Sequence, residues 1–364
     1  MKKKILVFNL TPRGGMLHYS SQFCNELSKY ADLKVAIADY YKEKLYNSNI
    51  NFIKIKTNPN LKSFIFDTLS FWRHIILIYK VLKFKPDIIH FIDNHPWYLF
   101  YARIFKFLKI TIYTTQHDPT LHSGENTNLL GKIATKVNTL LRKNSKKIFV
   151  HGDKLKNEVI KKYGISDSKV ISIVHGNYNF LKDLFYKGGK VQNNTFLFFG
   201  RIVDYKGLDI LLESLRFVKK EINDFKLIIA GFGDLSKYKE KLDGFQENIE
   251  IYNFDILDND IYKYFEKSEF VVLPYKDATG SGVIPVAYAF SKPVIITNVG
   301  ELTKVVENNI TGLVIEKNDI AKLAESIIFM LENKEKTVNM GKKGRKLSDN
   351  ELGWEGVVKK VYGF

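Results

Sequence analysis

Cysteine is nearly absent from this chain, and long apolar runs, internal repeats and the commonest dinucleotide fingerprint are missing altogether. A single cysteine, Cys24, among 364 residues excludes an intramolecular disulfide and leads to the expectation of a reducing, cytoplasmic setting. No apolar run reaches the ~18 residues that a membrane-spanning helix requires. The opening MKKKILVFNL is basic, but its short apolar part runs into Thr-Pro-Arg-Gly-Gly instead of a small-residue cleavage site. It therefore reads as a first strand and not as a leader. No segment recurs at the period of roughly 20–50 residues that marks a solenoid or propeller. Gly-x-Gly-x-x-Gly does not follow the first strand, which excludes the usual oxidoreductase turn. No recognised nucleic-acid module is present either, so nucleic acid is not an expected partner.

What is there is strongly patterned. Hydrophobic residues make up 45% of the chain, which excludes disorder, and the length suits two domains, each with its own core. Apolar, β-rich runs at 5–10, 34–38, 51–55, 88–92, 111–115, 147–150 and 170–174 alternate with helical patterns such as 16–29, 64–82 and 131–143. After a polar stretch the pattern restarts, with strands at 196–199, 226–230, 249–253, 270–274, 293–297 and 312–315. Helical patterns at 208–220, 261–267, 283–290 and 320–333 lie between them. Such alternation predicts an α/β protein of two Rossmann-like, doubly wound parallel-sheet domains. The expected divisions are 1–185, 186–350 and a terminal helix over 351–364, whose Trp354 calls for a docking surface. Ligands in such sheets bind beyond the carboxyl ends of the strands, so a cleft between the domains is expected.

Charge divides the chain. Residues 1–185 hold 30 Lys and Arg against 13 Asp and Glu, whereas residues 186–364 hold 26 of each, so the whole net charge of +17 lies in the first half. That asymmetry predicts an anionic partner for the first half. Two segments there combine cations with aromatics, FIFDTLSFWRHIILIYKVLKFK (64–85) and PWYLFYARIFKFLK (96–109). In the second, Trp97, Tyr98, Phe100, Tyr101, Phe105 and Phe107 exceed what one buried helix face needs. Basic aromatic helices too short to span suit a membrane interface, so an anionic membrane surface is the expected partner.

Two segments of the second half carry phosphate chemistry. In FLFFGRIVDYKGLDILLESL (196–215) a buried strand runs into Gly200, the cations Arg201 and Lys206 follow, and a helix starts near Gly207. Free helix N–H groups and fixed positive charge converge at such a turn. In the segment 271–300 a strand ends at Pro274, and Thr279-Gly280-Ser281-Gly282 leads into a helix from Val283. Glycines there allow close backbone approach and the hydroxyls add ligands. Gly231-Phe232-Gly233 lies between the two devices. The run Asp258-Asn259-Asp260 imitates a metal-binding Asp-x-Asp, but it precedes a helix and is read as an N-cap.

FFGRIVDYKG, LIIAGFGD and the strand, glycine-rich loop and helix at 271–290 resemble the nucleotide-sugar-binding domain of family 4 glycosyltransferases, retaining enzymes of the GT-B fold. RGGMLHYSSQFCNELS, KPDIIHFI and TTQHD resemble the family's first domain, and the Trp354 helix resembles its return helix, so the likeness covers nearly the whole chain. The resemblance implies a nucleotide-diphosphate sugar as donor, UDP- or GDP-linked, without a further cofactor or metal. It also implies an acceptor held mainly by the first domain. Arg201 and Lys206 then hold the diphosphate, whose charge grows as the glycosidic bond breaks. Gly14, Gly15, Gly200, Gly231, Thr279, Gly280, Ser281, Gly282 and Val283 complete the donor site. One departure stands out: where the family commonly has Glu-x7-Glu, this chain has Thr279 and Ala287, with Asp277 or Glu301 as nearby substitutes.

In the first half, His117 ends the fifth strand pattern, and the resemblance implies that it faces the reaction centre, with Asp118 fixing its tautomer. His18, His95, Asp118 and His122 are the candidate acceptor residues, with His175 a further histidine on a loop of the same edge. His90, on an apolar strand, is expected in the core. The spacing of His117, His122 and Glu125 matches no common zinc motif. The expectation is a retaining hexosyltransferase acting on a lipid-linked glycan in surface-polysaccharide assembly, peripheral at the inner membrane face. The alternatives are a nucleotide-sugar epimerase or inverting transferase of the same fold, or a catalytically silent partner subunit, which Thr279 and Ala287 bring into view.

Overall fold

The computed structural model describes residues 2–11, 14–41, 44–57, 60–117 and 129–364. The chain divides into two compact units, Met1–Gly176 with Trp354–Phe364, and Asn177–Gly353.

The first unit contains β1 (Lys4–Asn9), α1 (Gly15–Leu27), β2 (Asp32–Ala38), β3 (Asn51–Ile55), α2 (Leu61–Leu69), α3 (Phe71–Phe84) and β4 (Ile88–Phe91). There follow α4 (Tyr98–Phe107), β5 (Thr111–Thr115), α5 (Leu129–Asn144), β6 (Lys147–His151), α6 (Asp153–Tyr163) and β7 (Val170–Ile173). Its seven strands pair in the order β3-β2-β1-β4-β5-β6-β7, and every pairing is parallel. The strands are apolar almost throughout because helices cover both faces. Under α4 an aromatic core forms, with Phe8 against Phe91, Tyr98, Tyr101 and Phe105.

The second unit contains α7 (Phe180–Phe185), β8 (Thr195–Phe199), α8 (Leu208–Glu221), β9 (Lys226–Ala230), α9 (Lys239–Leu242), β10 (Ile249–Tyr252) and α10 (Ile261–Lys267). It continues with β11 (Phe270–Leu273), α11 (Val283–Ala289), β12 (Val294–Thr297), β13 (Gly312–Ile315), α12 (Ile320–Glu332) and α13 (Lys334–Asn350). The sheet order is β10-β9-β8-β11-β12-β13, again all parallel. In each unit the winding reverses once, between β1 and β4 and between β8 and β11. A crevice opens at the strand carboxyl ends where that happens.

The polar stretch at 187–194 had suggested a boundary after 185. The structure divides the chain earlier, because α7 packs against α10 and α11 of the second unit. The segment before the last helix belongs there too, with Asn177 N–H donating to Leu352 O at 2.8 Å. The last helix, α14 (Trp354–Tyr362), returns to the first unit and packs on α1. There the Trp354 ring occupies the space that a Cβ at Gly176 would need, at 2.2 Å.

The single helix read over 64–82 is two helices. Ser70 stands between them with ψ 69°, and its hydroxyl donates to Phe66 O at 2.8 Å. Back-bonding of this kind competes with the helical ladder and breaks it.

Candidate functional site

The residues expected to hold a donor gather around the β8/β11 reversal. β8 leads into Gly200, whose φ of 109° lies where glycine is favoured. A Cβ on Gly200 would lie 2.6 Å from Lys206 Nζ and 3.8 Å from Val283 Cγ2, so three expected donor residues meet at this point. Gly231, at the end of β9, packs against Gly200, where a Cβ would come within 2.0 Å of Gly200 O. The chain then makes a tight turn over Asp204–Lys206 and passes Gly207 (φ 70°) into α8. Gly207 is pressed against the end of β11, since its Cβ would lie 1.9 Å from Pro274 O. Lys276 locks the two loops together, its N–H donating to Tyr205 O at 2.7 Å and its Nζ pairing with Asp209 at 2.6 Å.

Lys206 is the chemical centre of this arrangement. It is 9% exposed, and its Nζ lies 5.2 Å from the centroid of the Tyr275 ring. Among the described residues no carboxylate pairs with Lys206, and its ammonium makes no hydrogen bond. Burial pulls its pKa down to about 8, with nearby Arg201 acting in the same direction against Tyr205. A buried cation without an anion is costly in the free protein and is relieved when an anion arrives. Arg201 stands beside it, exposed, with Nη2 3.4 Å from the Tyr205 hydroxyl. The first turn of α8 carries no side-chain cap, so its N–H groups face the same crevice end.

The loop after β11 does not need glycine for its backbone conformation. Gly282 has φ −67°, and a Cβ there would make ordinary contact with Tyr178 at 3.7 Å. A Cβ at Gly280 would meet nothing within 4 Å. The backbone therefore requires glycine at 200, 207 and 231, not at 280 or 282. Ser281 orders the loop: its hydroxyl lies 3.2 Å from the Tyr275 hydroxyl and accepts from Val283 N–H at 3.2 Å. Thr279 O accepts from Glu301 N–H at 3.1 Å. Ala287, at the second position of the missing carboxylate pair, is fully buried on α11. Asp277 is half-buried and Glu301 buried on the same loops. Of the run 258–260 expected to cap α10, Asp260 stands at the N-cap position without a side-chain cap hydrogen bond, its carboxylate pairing with Lys263 at 2.6 Å. Among the described residues no three His, Cys, Asp or Glu side chains group to hold a metal.

In the first unit, histidines gather at successive strand ends. His117 follows β5, His151 ends β6 and His175 follows β7. His151 Nε2 lies 3.1 Å from His117 Nδ1, and the His151 and His175 rings are 5.1 Å apart. Tyr19 of α1 meets all three edge-on, at 4.5, 5.3 and 5.4 Å, and Trp354 at 5.0 Å. His117 Nε2 lies 3.1 Å from Ile92 O and so donates, which leaves Nδ1 to accept from His151. Both ring nitrogens of His117 thus hold partners within the chain. Burial pulls the pKa of His175 down and that of His151 well down. His151 was not singled out from the sequence, although Val-His-Gly recurs at 150–152 and 174–176.

Of the acceptor candidates, His18 is buried on α1, one residue before Tyr19. His95 is buried between Trp97, Phe64 and Tyr98, its Nδ1 accepting from Trp97 N–H at 3.2 Å. Burial takes its pKa to about 3. Asp118 and His122, with Glu125, lie outside the described residues. Gly14 precedes α1 with φ 48°, and Gly15 opens the helix. Sequence reasoning missed Asp93, which bridges the β1/β4 reversal. Its carboxylate accepts from Thr11 N–H at 2.6 Å and Thr11 hydroxyl at 2.5 Å, and also from the Tyr98 hydroxyl. His90 is in the core as expected, with Tyr362 at 2.8 Å and Thr115 at 2.9 Å on its two nitrogens.

Two doubly wound domains with a return helix define the GT-B fold of glycosyltransferases. The solved structure of Anabaena HepE in complex with UDP-glucose aligns over 99% of this chain and 98% of its own, with a TM-score of 0.74 at 15% identity. The model of glycosyl transferases group 1 matches residues 182–347, and that of Glycosyltransferase Family 4 matches residues 13–176. The chain belongs to glycosyltransferase family 4. It is 28% identical to an uncharacterised glycosyltransferase of Methanocaldococcus jannaschii over 93% of this chain and 92% of that protein. It is also 25% identical to the capsular polysaccharide biosynthesis glycosyltransferase CapM of Staphylococcus aureus, over 56% of this chain and 57% of CapM.

Proposed function

We propose that this glycosyltransferase is a retaining hexosyltransferase. It takes its sugar from a UDP- or GDP-linked donor and passes it to a lipid-linked glycan in surface-polysaccharide assembly. The observation that carries the donor reading is Lys206, a buried cation without an anion, between Gly200 and the start of α8. As the bond to the leaving diphosphate breaks, negative charge collects on its oxygens. Lys206 and Arg201 meet that charge from fixed positions, which lowers the barrier and does the work of a metal ion. Gly200 and Gly231 keep the backbone close, and Ser281 and Val283 close the other side of the turn. The leaving phosphate takes the acceptor's proton, so no protein nucleophile is named. His117 serves the acceptor only by exchanging one of its two present partners. The capsule-related CapM supports the polysaccharide setting, and HepE the UDP-sugar donor.

A thermal-shift screen with UDP, GDP and their sugars tests the donor site. The expected result is stabilisation of the wild type and none in Arg201→Ala/Lys206→Ala. Equal responses in both proteins overturn it. The anomeric configuration of the product, read by NMR, decides between retention and inversion. A second reading, a nucleotide-sugar-binding subunit without turnover, is favoured by Thr279 and the buried Ala287. Donor binding with no transfer to any glycan acceptor, and no donor hydrolysis, would establish it.

A further inference from the structure

The outward face of α2 and α3 is as apolar as their inward face. On α3, His74, Leu77, Val81 and Phe84 are buried against the sheet, which accounts for one stripe at helical spacing. The opposite stripe carries Phe71, Trp72, Ile75, Ile76, Tyr79 and Leu82, all exposed, Phe71 at 72% and Trp72 at 60%. On α2, Ile65, Phe66 and Leu69 continue the exposed surface. A helix that is apolar all round is ordinarily enclosed, and this one is not. Half-exposed side chains of this size present on the order of 1,000 Å² of apolar surface, beyond the ~300–600 Å² of the largest patch on an ordinary monomer.

The surface is held in place and its charge has one sign. Arg73 pairs with Asp67 and lies over the rings of Phe66 (5.6 Å) and Trp72 (5.1 Å), fastening the exposed side chains of the two helices together. Asp67 is the only acidic residue between 60 and 86, and it is buried in that pair. Lys62, Lys80, Lys83 and Lys85 stand exposed along the same helices. On α4 the sequence had pointed to a row of aromatics, but Trp97, Tyr98, Tyr101 and Phe105 are buried, which leaves Phe100 and Phe107 exposed. Among the described residues of the basic half, most of the exposed large apolar side chains are therefore on α2 and α3.

We infer that the α2–α3 face inserts at the headgroup level of an anionic bilayer, with Phe66, Leu69, Phe71, Trp72, Ile75 and Tyr79 entering the interface and the lysines meeting lipid phosphates. No helix among the described residues is long and apolar enough to cross a membrane, and an interfacial helix needs no such length. Bilayer phosphates complement the lysines, whereas a second copy would bring like charge against like charge. The inference stands on exposure and charge within the first unit, and it holds whether or not the acceptor is lipid-linked.

Trp72 provides the test, because the other two tryptophans, Trp97 and Trp354, are buried. Vesicles of phosphatidylcholine with about one-third phosphatidylglycerol should shift tryptophan emission to the blue, and brominated acyl chains should quench it. Trp72→Phe should lose the spectral change but still sediment with vesicles. Phe71→Ser/Ile75→Ser should sediment at least tenfold more weakly, and Lys80→Glu/Lys83→Glu should lose the dependence on anionic lipid and salt. Circular dichroism and thermal melts confirm that these surface variants fold. Unchanged emission with vesicles, equal sedimentation of Phe71→Ser/Ile75→Ser, or indifference to anionic lipid would each overturn the inference. So would a wild-type dimer in sedimentation velocity that Phe71→Ser/Ile75→Ser makes monomeric.

Discussion

Both units place buried polar groups at the carboxyl ends of parallel strands, yet they treat them differently. In the first unit three of them hold hydrogen bonds within the unit: His90 with Tyr362 and Thr115, Asp93 with Thr11 and Tyr98, and His117 with His151 and Ile92 O. In the second unit Lys206 is buried over the Tyr275 ring with no paired carboxylate among the described residues. Polar groups that complete each other make a scaffold. A buried charge without a counter-charge costs the free protein stability, a cost that a bound anion would offset. Similar architectures thus differ in how they hold these groups: His90, Asp93 and His117 have hydrogen-bond partners in the chain, and Lys206 has no paired carboxylate among the described residues.

The sharpest way to break this comparison is Lys206→Met. Nucleotide-induced stabilisation should vanish and kcat/KM should fall ~10²–10³-fold, in line with losing one fixed charge from a developing anion. The free protein should become more stable. The folded pKa of Lys206, about 8, lies below the unfolded value of 10.5, so its ionisation opposes folding at neutral pH. The opposition is full below pH 8 and fades as pH rises to 10.5. The variant's advantage in denaturant melts should accordingly reach up to about 3 kcal/mol near neutrality and shrink above pH 8. A wild-type Lys206 that proves stabilising in the free protein would end the contrast.

Gly207→Ala comes next. With φ 70° and Pro274 O only 1.9 Å from the new methyl, it should cost roughly 2–4 kcal/mol in chemical denaturation and loosen the donor turn. Gly280→Ala, whose methyl meets nothing, is the control and should melt like the wild type.

In the first unit, Asp93→Asn removes a titrating group. Burial raises Asp93 from 3.8 to about 6, while its Thr11 and Tyr98 bonds oppose that rise. An acid raised on folding favours the native state fully below pH 3.8 and loses that contribution as pH climbs through 6. The wild type should therefore gain on Asp93→Asn by about 2 kcal/mol as pH falls from 7 to 4, read from paired urea melts. An opposite trend would mean that the Thr11 and Tyr98 bonds outweigh burial. The smallest effect is Tyr362→Phe, which leaves His90 Nδ1 without a partner and should cost about 1–2 kcal/mol, measured in the same way.

The strand plan was legible because buried parallel strands are apolar along their whole length. Each of the expected strands is present, with ends moved by a residue or two. What escaped was structure without apolar periodicity. Helix α13, KEKTVNMGKKGRKLSDN, is charged and has two interior glycines. It forms because Gly341 and Gly344 let it lie close on Ser291 and the Tyr288 ring, where Cβ atoms would clash at 2.0 and 2.5 Å. Of the candidate site, Gly200 lies beside Lys206, Val283 and Gly231, and Ser281 beside Tyr275. Tyr275, beneath Lys206, and His151 and Asp93 in the first unit were not foreseen, since a lone Tyr, His or Asp at a strand end has no periodic signature.

The sequence by itself determined the two parallel sheets, the glycine-and-cation turn and the family, because these rest on local order: apolar runs, a strand-turn-helix succession and a motif. The tertiary structure decided which aromatics are core and which are surface, that Lys206 is buried without an anion, and that three histidines share one cluster. Those properties depend on what other elements bring alongside, and burial, unlike a turn, is never a property of one segment alone.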